Sequence, residues 1–343
     1  MKTPDAGDSE TSAHSPIGAP GTLERLSPRR KLLFITLIFL TALGVRLLNW
    51  QNYRHEALAV QSSVALNYKH QARLIQAYGV TSLYDASSAT NDPDLLGHPP
   101  GYPILLSLLY RIAGESDSAT QLLQTILDSF SVVVIVLVAF EFFPSAVALI
   151  AGLLSAFAPQ FSWNSLTLLP DSLAALPLLL ALLVIAKTVR RRNLSDLSSL
   201  LSILGAGALI GISCWLRANA LLLAPFLTFV FCFSGRRGAR LLSALVLCCG
   251  SLLIISALTI RNLVVFDKFI PVSLGAGQTL VEGIADYNTD GSLGLPQTDV
   301  ELIRGEAETC SLVGIYGSIF PSVIAVASCA SQSFGPHSAA RTE

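Results

Sequence analysis

Arg29-Arg30-Lys31-Leu32-Leu33-Phe34-Ile35-Thr36-Leu37-Ile38-Phe39-Leu40-Thr41-Ala42-Leu43-Gly44-Val45-Arg46-Leu47-Leu48-Asn49-Trp50 decides the fold. The run from Leu32 to Trp50 carries a single charge, Arg46, and is close to the roughly 20 apolar residues that a bilayer-crossing helix needs. Backbone inside lipid has no water to bond, so such a run must be a helix. Arg25, Arg29, Arg30 and Lys31 stand before it, and the positive-inside bias therefore puts the N-terminus in the cytoplasm.

The pattern repeats along the chain. Of 343 residues, 52% are hydrophobic and only 13% are charged. Mean hydropathy is +0.59. These values belong to the membrane class. A net charge of −1 gives no reason to expect nucleic acid as a partner. The cysteines (Cys214, Cys232, Cys248, Cys249, Cys310, Cys329) include no Cys-x-x-Cys pair, and four lie in apolar runs. They read as small buried hydrophobes.

Span candidates are 32–50, 120–142, 145–163, 168–187, 198–216, 218–234 and 241–260, so the fold expected is all-α and polytopic, with about 7–9 transmembrane helices. Lys187, Arg190, Arg191 and Arg192 follow one span, and Arg236, Arg237 and Arg240 lie between two others. Both clusters read as cytoplasmic. The segments near Asp171, Arg217 and Arg261 then fall outside, as does the loop 51–98. An even number of crossings must separate that loop from Asp171. The run 102–113 is the shortest and ends near Arg111, so it is expected not to cross.

The first loop ends in His98-Pro99-Pro100-Gly101-Tyr102-Pro103, a rigid corner beside the bilayer. Three arginines, Arg46, Arg217 and Arg261, stand on the side that the charge bias disfavours. Arginine there either snorkels to headgroups or pairs. A guanidinium fork also fits phosphate oxygens, which makes these three candidates for a phosphate clamp. The outer carboxylates are Glu56, Asp85, Asp92, Asp94 and Asp171. Transfer to a hydroxyl or amine needs a general base, and Glu56 and Asp171 abut the membrane. Asp128 lies within a span, where an acid either pairs with a neighbour or acts. His55, His70 and His98 lack metal-ligand spacing, and His98 is expected to help fix the loop corner; His98, Tyr102 and Asp171 are candidates for substrate or loop contacts.

Four stretches now carry a resemblance. They are His98-Pro99-Pro100-Gly101-Tyr102-Pro103, Leu168-Leu169-Pro170-Asp171-Ser172, Trp215-Leu216-Arg217-Ala218-Asn219, and Thr259-Ile260-Arg261-Asn262 with Phe266-Asp267-Lys268-Phe269-Ile270-Pro271 after it. In this order, over about 30–285, the chain resembles bacterial members of the C-type polytopic glycosyltransferase superfamily, of the protein O-mannosyltransferase and aminoarabinose-transferase type. The resemblance implies inverting transfer of a hexose or pentose from a polyprenyl-phosphate donor, at the outer face of the plasma membrane. The acceptor is a lipid, a glycan or a protein. It further implies an acid early in the first loop that acts as base or binds a metal, which makes a divalent cation (Mg or Mn) a candidate cofactor. Glu56 is the matching position, although relatives show an Asp, often followed by Glu, where this chain has His55-Glu56. Asp92 and Asp94 are the alternatives.

The expected organisation is a disordered cytoplasmic tail (1–30), a transmembrane glycosyltransferase-like domain (31–265), an extracytoplasmic segment (266–310) and an atypical tail (311–343). That tail reads as an extra span, as a sequence artefact or as a sign of C-terminal truncation, since relatives run longer. A lipid-linked sugar transporter or flippase, or an inactive truncated membrane protein, would share many of these features.

Overall fold

The computed structural model describes residues 27–60, 62–91, 98–190, 194, 196–233, 237–267 and 269–273. Most of the expected tail 1–30, the segment 274–310 and the tail 311–343 lie outside the described residues. The described chain is helical without strands. Its α-helices are α1 (Pro28–Ala59), α2 (Ser62–Tyr78), α3 (Gly101–Ala113), α4 (Asp117–Phe142), α5 (Ser145–Phe157), α6 (Pro159–Asn164), α7 (Asp171–Arg190), α8 (Leu197–Leu216), α9 (Leu223–Leu227) and α10 (Arg237–Phe266).

Five of these, α1, α4, α7, α8 and α10, are long and apolar enough to cross a membrane. The chain is an all-α polytopic membrane protein. Large apolar side chains such as Leu33, Phe157, Leu201 and Leu253 point outward, as they do where the surroundings are lipid.

Two expected spans are not single helices. The run 145–163 breaks at Ala158, because Pro159 can open a helix but cannot donate within one. The run 218–234 is a 3-10 turn, the short α9 and a second 3-10 segment at Thr228–Phe233. Both still carry the chain from one end of the bundle to the other, as pair contacts show. Arg46 meets Asp128 and Lys31 meets Phe140, so α1 and α4 are antiparallel. Gln124 meets Ser172 and Glu141 meets Arg190, so α4 and α7 are parallel and 145–164 must return between them. Ser213 bonds Ala174, which makes α7 and α8 antiparallel. Gly207 abuts Leu247 and Gly211 abuts Ile254, so α8 and α10 are parallel and 218–233 returns.

The described chain thus runs along the bundle seven times. Helix α3 begins against the end of α8 and finishes just before α4 starts, at one end of the bundle, as parity requires. The described part of the first loop is largely helical. Helix α1 continues to Ala59, placing Glu56 on a helix rather than in a loop, and α2 fills 62–78.

Lipid-facing helices gain little from hydrophobic attraction and rely on close packing and polar contacts. Glycine supplies the first: a Cβ on Gly207 would lie 2.2 Å from the Leu247 carbonyl, and one on Gly250 2.3 Å from that of Leu204. A polar stripe on α4 supplies the second. Gln121, Gln124, Thr125 and Asp128 are all buried and share one face at i, i+3, i+4 and i+7.

Candidate active site

The four quoted stretches meet at the end of the bundle opposite Lys31 and Arg190. Gly101 opens α3 so close to α8 that a Cβ there would lie 2.3 Å from the Trp215 carbonyl oxygen. Only glycine admits this approach, and it brings the Pro-Pro-Gly corner against the segment bearing Arg217. The indole N–H of Trp215 donates to the Ile254 carbonyl (2.9 Å), tying that segment to α10.

Gln124 ties the second stretch to the first. Its amide N–H groups donate to the carbonyls of Thr167 (2.9 Å) and Leu169 (3.0 Å), and its oxygen accepts from the Tyr102 hydroxyl (3.0 Å). Gln121 acts alike between α1 and the same turn, donating to Arg54 O and Leu166 O and accepting from Trp50 Nε1. These glutamines were not singled out in the sequence. The signal that could have found them is their spacing of three, extended by Asp128, within an apolar run.

At the centre, Arg217 pairs with Asp171 at the start of α7. The Arg217 side chain keeps 42% of its surface accessible, so it can turn to a ligand. Tyr68 of α2, also missed in the sequence, closes the far wall. Its ring lies 5.3 Å from that of His98 and meets Tyr102 edge-on at 5.0 Å. Burial pushes the Tyr68 phenol well above its usual range, only partly opposed by Arg217, which keeps the hydroxyl protonated. His98 is shifted down, by desolvation first and by Arg217 second. Part of the residue faces solvent, but the covering Tyr68 ring and the neighbouring cation act in the same direction. Neutral imidazole is therefore the form that stands beside Arg217 at neutral pH.

The other two arginines expected in the phosphate clamp are engaged inside the protein. Arg46 is fully buried midway along the bundle. Its Nε donates to Asp128 (2.6 Å), and its Nη1 donates to the carbonyls of Ala42 and Ala156. Because α1 runs on to Ala59, Arg46 is a mid-helix residue and not the outer end of a span. Arg261 is buried too. It donates to Leu83 O (3.1 Å), to Asn262 Oδ1 (2.9 Å) and to Asn91 Oδ1, with Phe266 against its guanidinium. It pins the segment 80–91 to α10. Arg261 and His98 also line one small cavity of about 10 Å³, room for about one water.

Glu56 is exposed on the last turns of α1 and makes no hydrogen bond or ion pair with a described residue. Asp92 and Asp94 lie outside the described residues. Among the described residues, no three His, Cys, Asp or Glu side chains stand close enough to hold a metal ion. Flanking the centre, Lys69 pairs with Asp117 (2.6 Å) and Arg73 with Glu115 (2.5 Å), joining α2 to the α3–α4 turn. The Arg73 guanidinium, through its hydrogen bonds and then its charge, holds the Glu115 carboxyl below its ordinary value.

Fold and site together define a polytopic membrane protein with a cationic centre where the helices end. Residues 97–260 match the family model of dolichyl-phosphate-mannose-protein mannosyltransferase. The fold is shared with the Archaeoglobus fulgidus oligosaccharyltransferase tethered to an acceptor peptide containing the NVT sequon (TM-score 0.52, 17% identity, 85% of this chain and 39% of that one). It is likewise shared with the oligosaccharyltransferase AglB of the same archaeon, in complex with an inhibitory peptide and a dolichol-phosphate (TM-score 0.53, 19% identity, 84% and 38%). The chain thus spans about two fifths of the length of these structures. No curated protein matches it. The chain is thus similar to the mannosyltransferase family over residues 97–260 and to the archaeal oligosaccharyltransferases in fold.

Proposed function

We propose that the protein transfers a sugar from a polyprenyl-phosphate donor to an acceptor at the extracytoplasmic face, with inversion at the anomeric carbon. The observation that carries this reading is Arg217. It is a half-open cation held by Asp171 at the bundle end, walled by His98 and Tyr68. The matched family model and the dolichol-phosphate bound by the archaeal neighbour support the donor class.

The chemistry follows from the groups present. A lipid phosphate is a good leaving group, so it needs charge stabilisation more than protonation. Arg217 supplies that charge by turning its guanidinium from Asp171 to the phosphate oxygens. Glu56 takes the proton from the acceptor O–H or N–H as the acceptor atom attacks the anomeric carbon from the face opposite the phosphate. The anomeric C–O bond breaks, and its electron pair leaves on the polyprenyl phosphate. Neutral His98 adds no second positive charge beside Arg217. Arg46 and Arg261 serve by holding the bundle and the first loop in place. A divalent cation at Asp92 or Asp94 would supply further charge to the phosphate.

The orientation follows from the charges. Lys31, Lys187, Arg190 and Arg240 gather at the end opposite Arg217, which supports an extracytoplasmic site. The test is transfer from labelled polyprenyl-phosphate sugar in membranes containing the full-length protein. Wild type should transfer; Arg217→Ala and Glu56→Gln should each lose about 100-fold or more, with folding unchanged. Folded wild type that transfers nothing from any such donor would end this reading.

A further inference from the structure

A cleft of about 470 Å³ opens between α1 and α6. The cleft is shallow and more open than enclosed, so it would hold one face of a ligand. Asn49, Tyr53, Pro159, Gln160 and Trp163 line it. Tyr53 and Trp163 stand edge-to-face with ring centroids 6.3 Å apart.

The polar groups of the cleft are half committed. Asn49 Nδ2 donates to Ser162 Oγ (2.6 Å) and Gln160 Nε2 to Asn164 Oδ1 (3.0 Å). Each amide oxygen is left as an acceptor. The Tyr53 hydroxyl and the Trp163 N–H have no partner among the described residues. The cleft therefore offers aromatic surface flanked by two acceptors and two donors.

Asn49, Tyr53 and Glu56 stand at i, i+4 and i+7 on α1, which is one helical face. Glu56 lies one turn beyond Tyr53, about 4.5 Å further along the axis. The carboxylate proposed as base thus overhangs the aromatic cleft.

We infer that this cleft is a carbohydrate-binding subsite that presents an acceptor sugar hydroxyl to Glu56. A pyranose ring has an apolar C–H face that stacks on aromatic rings and a rim of hydroxyls that both donate and accept. The cleft matches both. An acyl chain would leave the amide oxygens, the phenol and the indole N–H without partners, at a cost for each one buried in apolar surroundings. Aromatic side chains at a membrane interface often face the headgroups singly, but a headgroup belt does not call for two touching rings with two amides beside them. The sugar specificity of the cleft stands on its lining alone; the role of Glu56 above it rests on the transferase reading.

The test uses the full-length protein in lipid nanodiscs, titrated with mannobiose and with cellobiose. At least one should bind, and Tyr53→Ala and Trp163→Ala should each weaken binding about tenfold, the scale of losing one aromatic contact. Tyr53→Phe keeps the ring, so it should retain most of the affinity and shows that the loss is not misfolding. Phosphatidylcholine brominated on its acyl chains reports a lipid occupant through quenching of the fluorescence that Trp163→Phe removes. The inference is overturned if neither disaccharide binds, if both alanine variants bind as wild type does, or if bromolipid quenches that component and the sugar does not relieve it. Wild type that binds sugar but transfers none would end the transferase reading and leave the cleft. Transfer to a glycan acceptor with its KM unchanged in both alanine variants would end the cleft and leave the transferase reading.

Discussion

Arg46 and Asp128 lie 82 positions apart and meet at 2.6 Å, with the arginine fully enclosed. In the sequence each is an isolated charge in an apolar run, and nothing in either run says that one is the partner of the other. A buried pair adds little net stability over well-packed apolar residues, but removing one partner leaves a charge with no solvent. Asp128→Ala should therefore destabilise the protein by about 3–5 kcal/mol. Arg46→Met combined with Asp128→Leu should recover most of that loss. Thermal unfolding in nanodiscs measures both. A double variant no more stable than Asp128→Ala would show that the cost lies in packing and not in the stranded charge.

The same logic of close approach governs the elements. Helices α8 and α10 touch through Gly207, Gly211 and Gly250, where backbone meets backbone. Gly207→Val would drive a side chain into the Leu247 carbonyl, which cannot rotate away, and would force the helices apart. The expected cost is about 1–3 kcal/mol, the scale of overpacking, whereas Gly205→Ala, with nothing within 4 Å of its Cβ, should be close to neutral. Unfolding of the two variants side by side tests this; equal effects would show that the close contact is not what holds α8 to α10. The existence of these helices was legible, because an apolar run of membrane length admits one reading. The non-crossing α3 was legible too, from parity and its short run. The breaks at Ala158 and across 218–233 were less so: hydropathy sums over a window and is blind to where hydrogen bonding along the helix stops. Gln121 and Gln124 stayed hidden for a related reason. A buried amide looks like a mild interruption in sequence, and its function as a tie appears only when Thr167, Leu169 and Tyr102 arrive beside it.

For the molecule as a whole, the decisive property is that its two ends differ. One gathers Lys31, Lys187, Arg190 and Arg240; the other gathers Glu115, Asp117 and Asp171 with Lys69, Arg73 and Arg217 paired to them. A protein inserted by the positive-inside bias cannot present both ends to the same compartment, so the proposed chemistry at Arg217 and the proposed orientation stand or fall together. Labelling decides it. In a variant with all cysteines replaced, a single cysteine at Glu115 should react in intact cells with a membrane-impermeant maleimide, because Glu115 is exposed on the turn before α4. Its pair with Arg73 is open to solvent and worth at most about 1 kcal/mol, so replacing it leaves the fold in place. A single cysteine at Ser198, exposed at the start of α8 on the opposite end, should react only after the cells are lysed. The reverse pattern would put Arg217 in the cytoplasm, on the wrong side for an outward-facing acceptor.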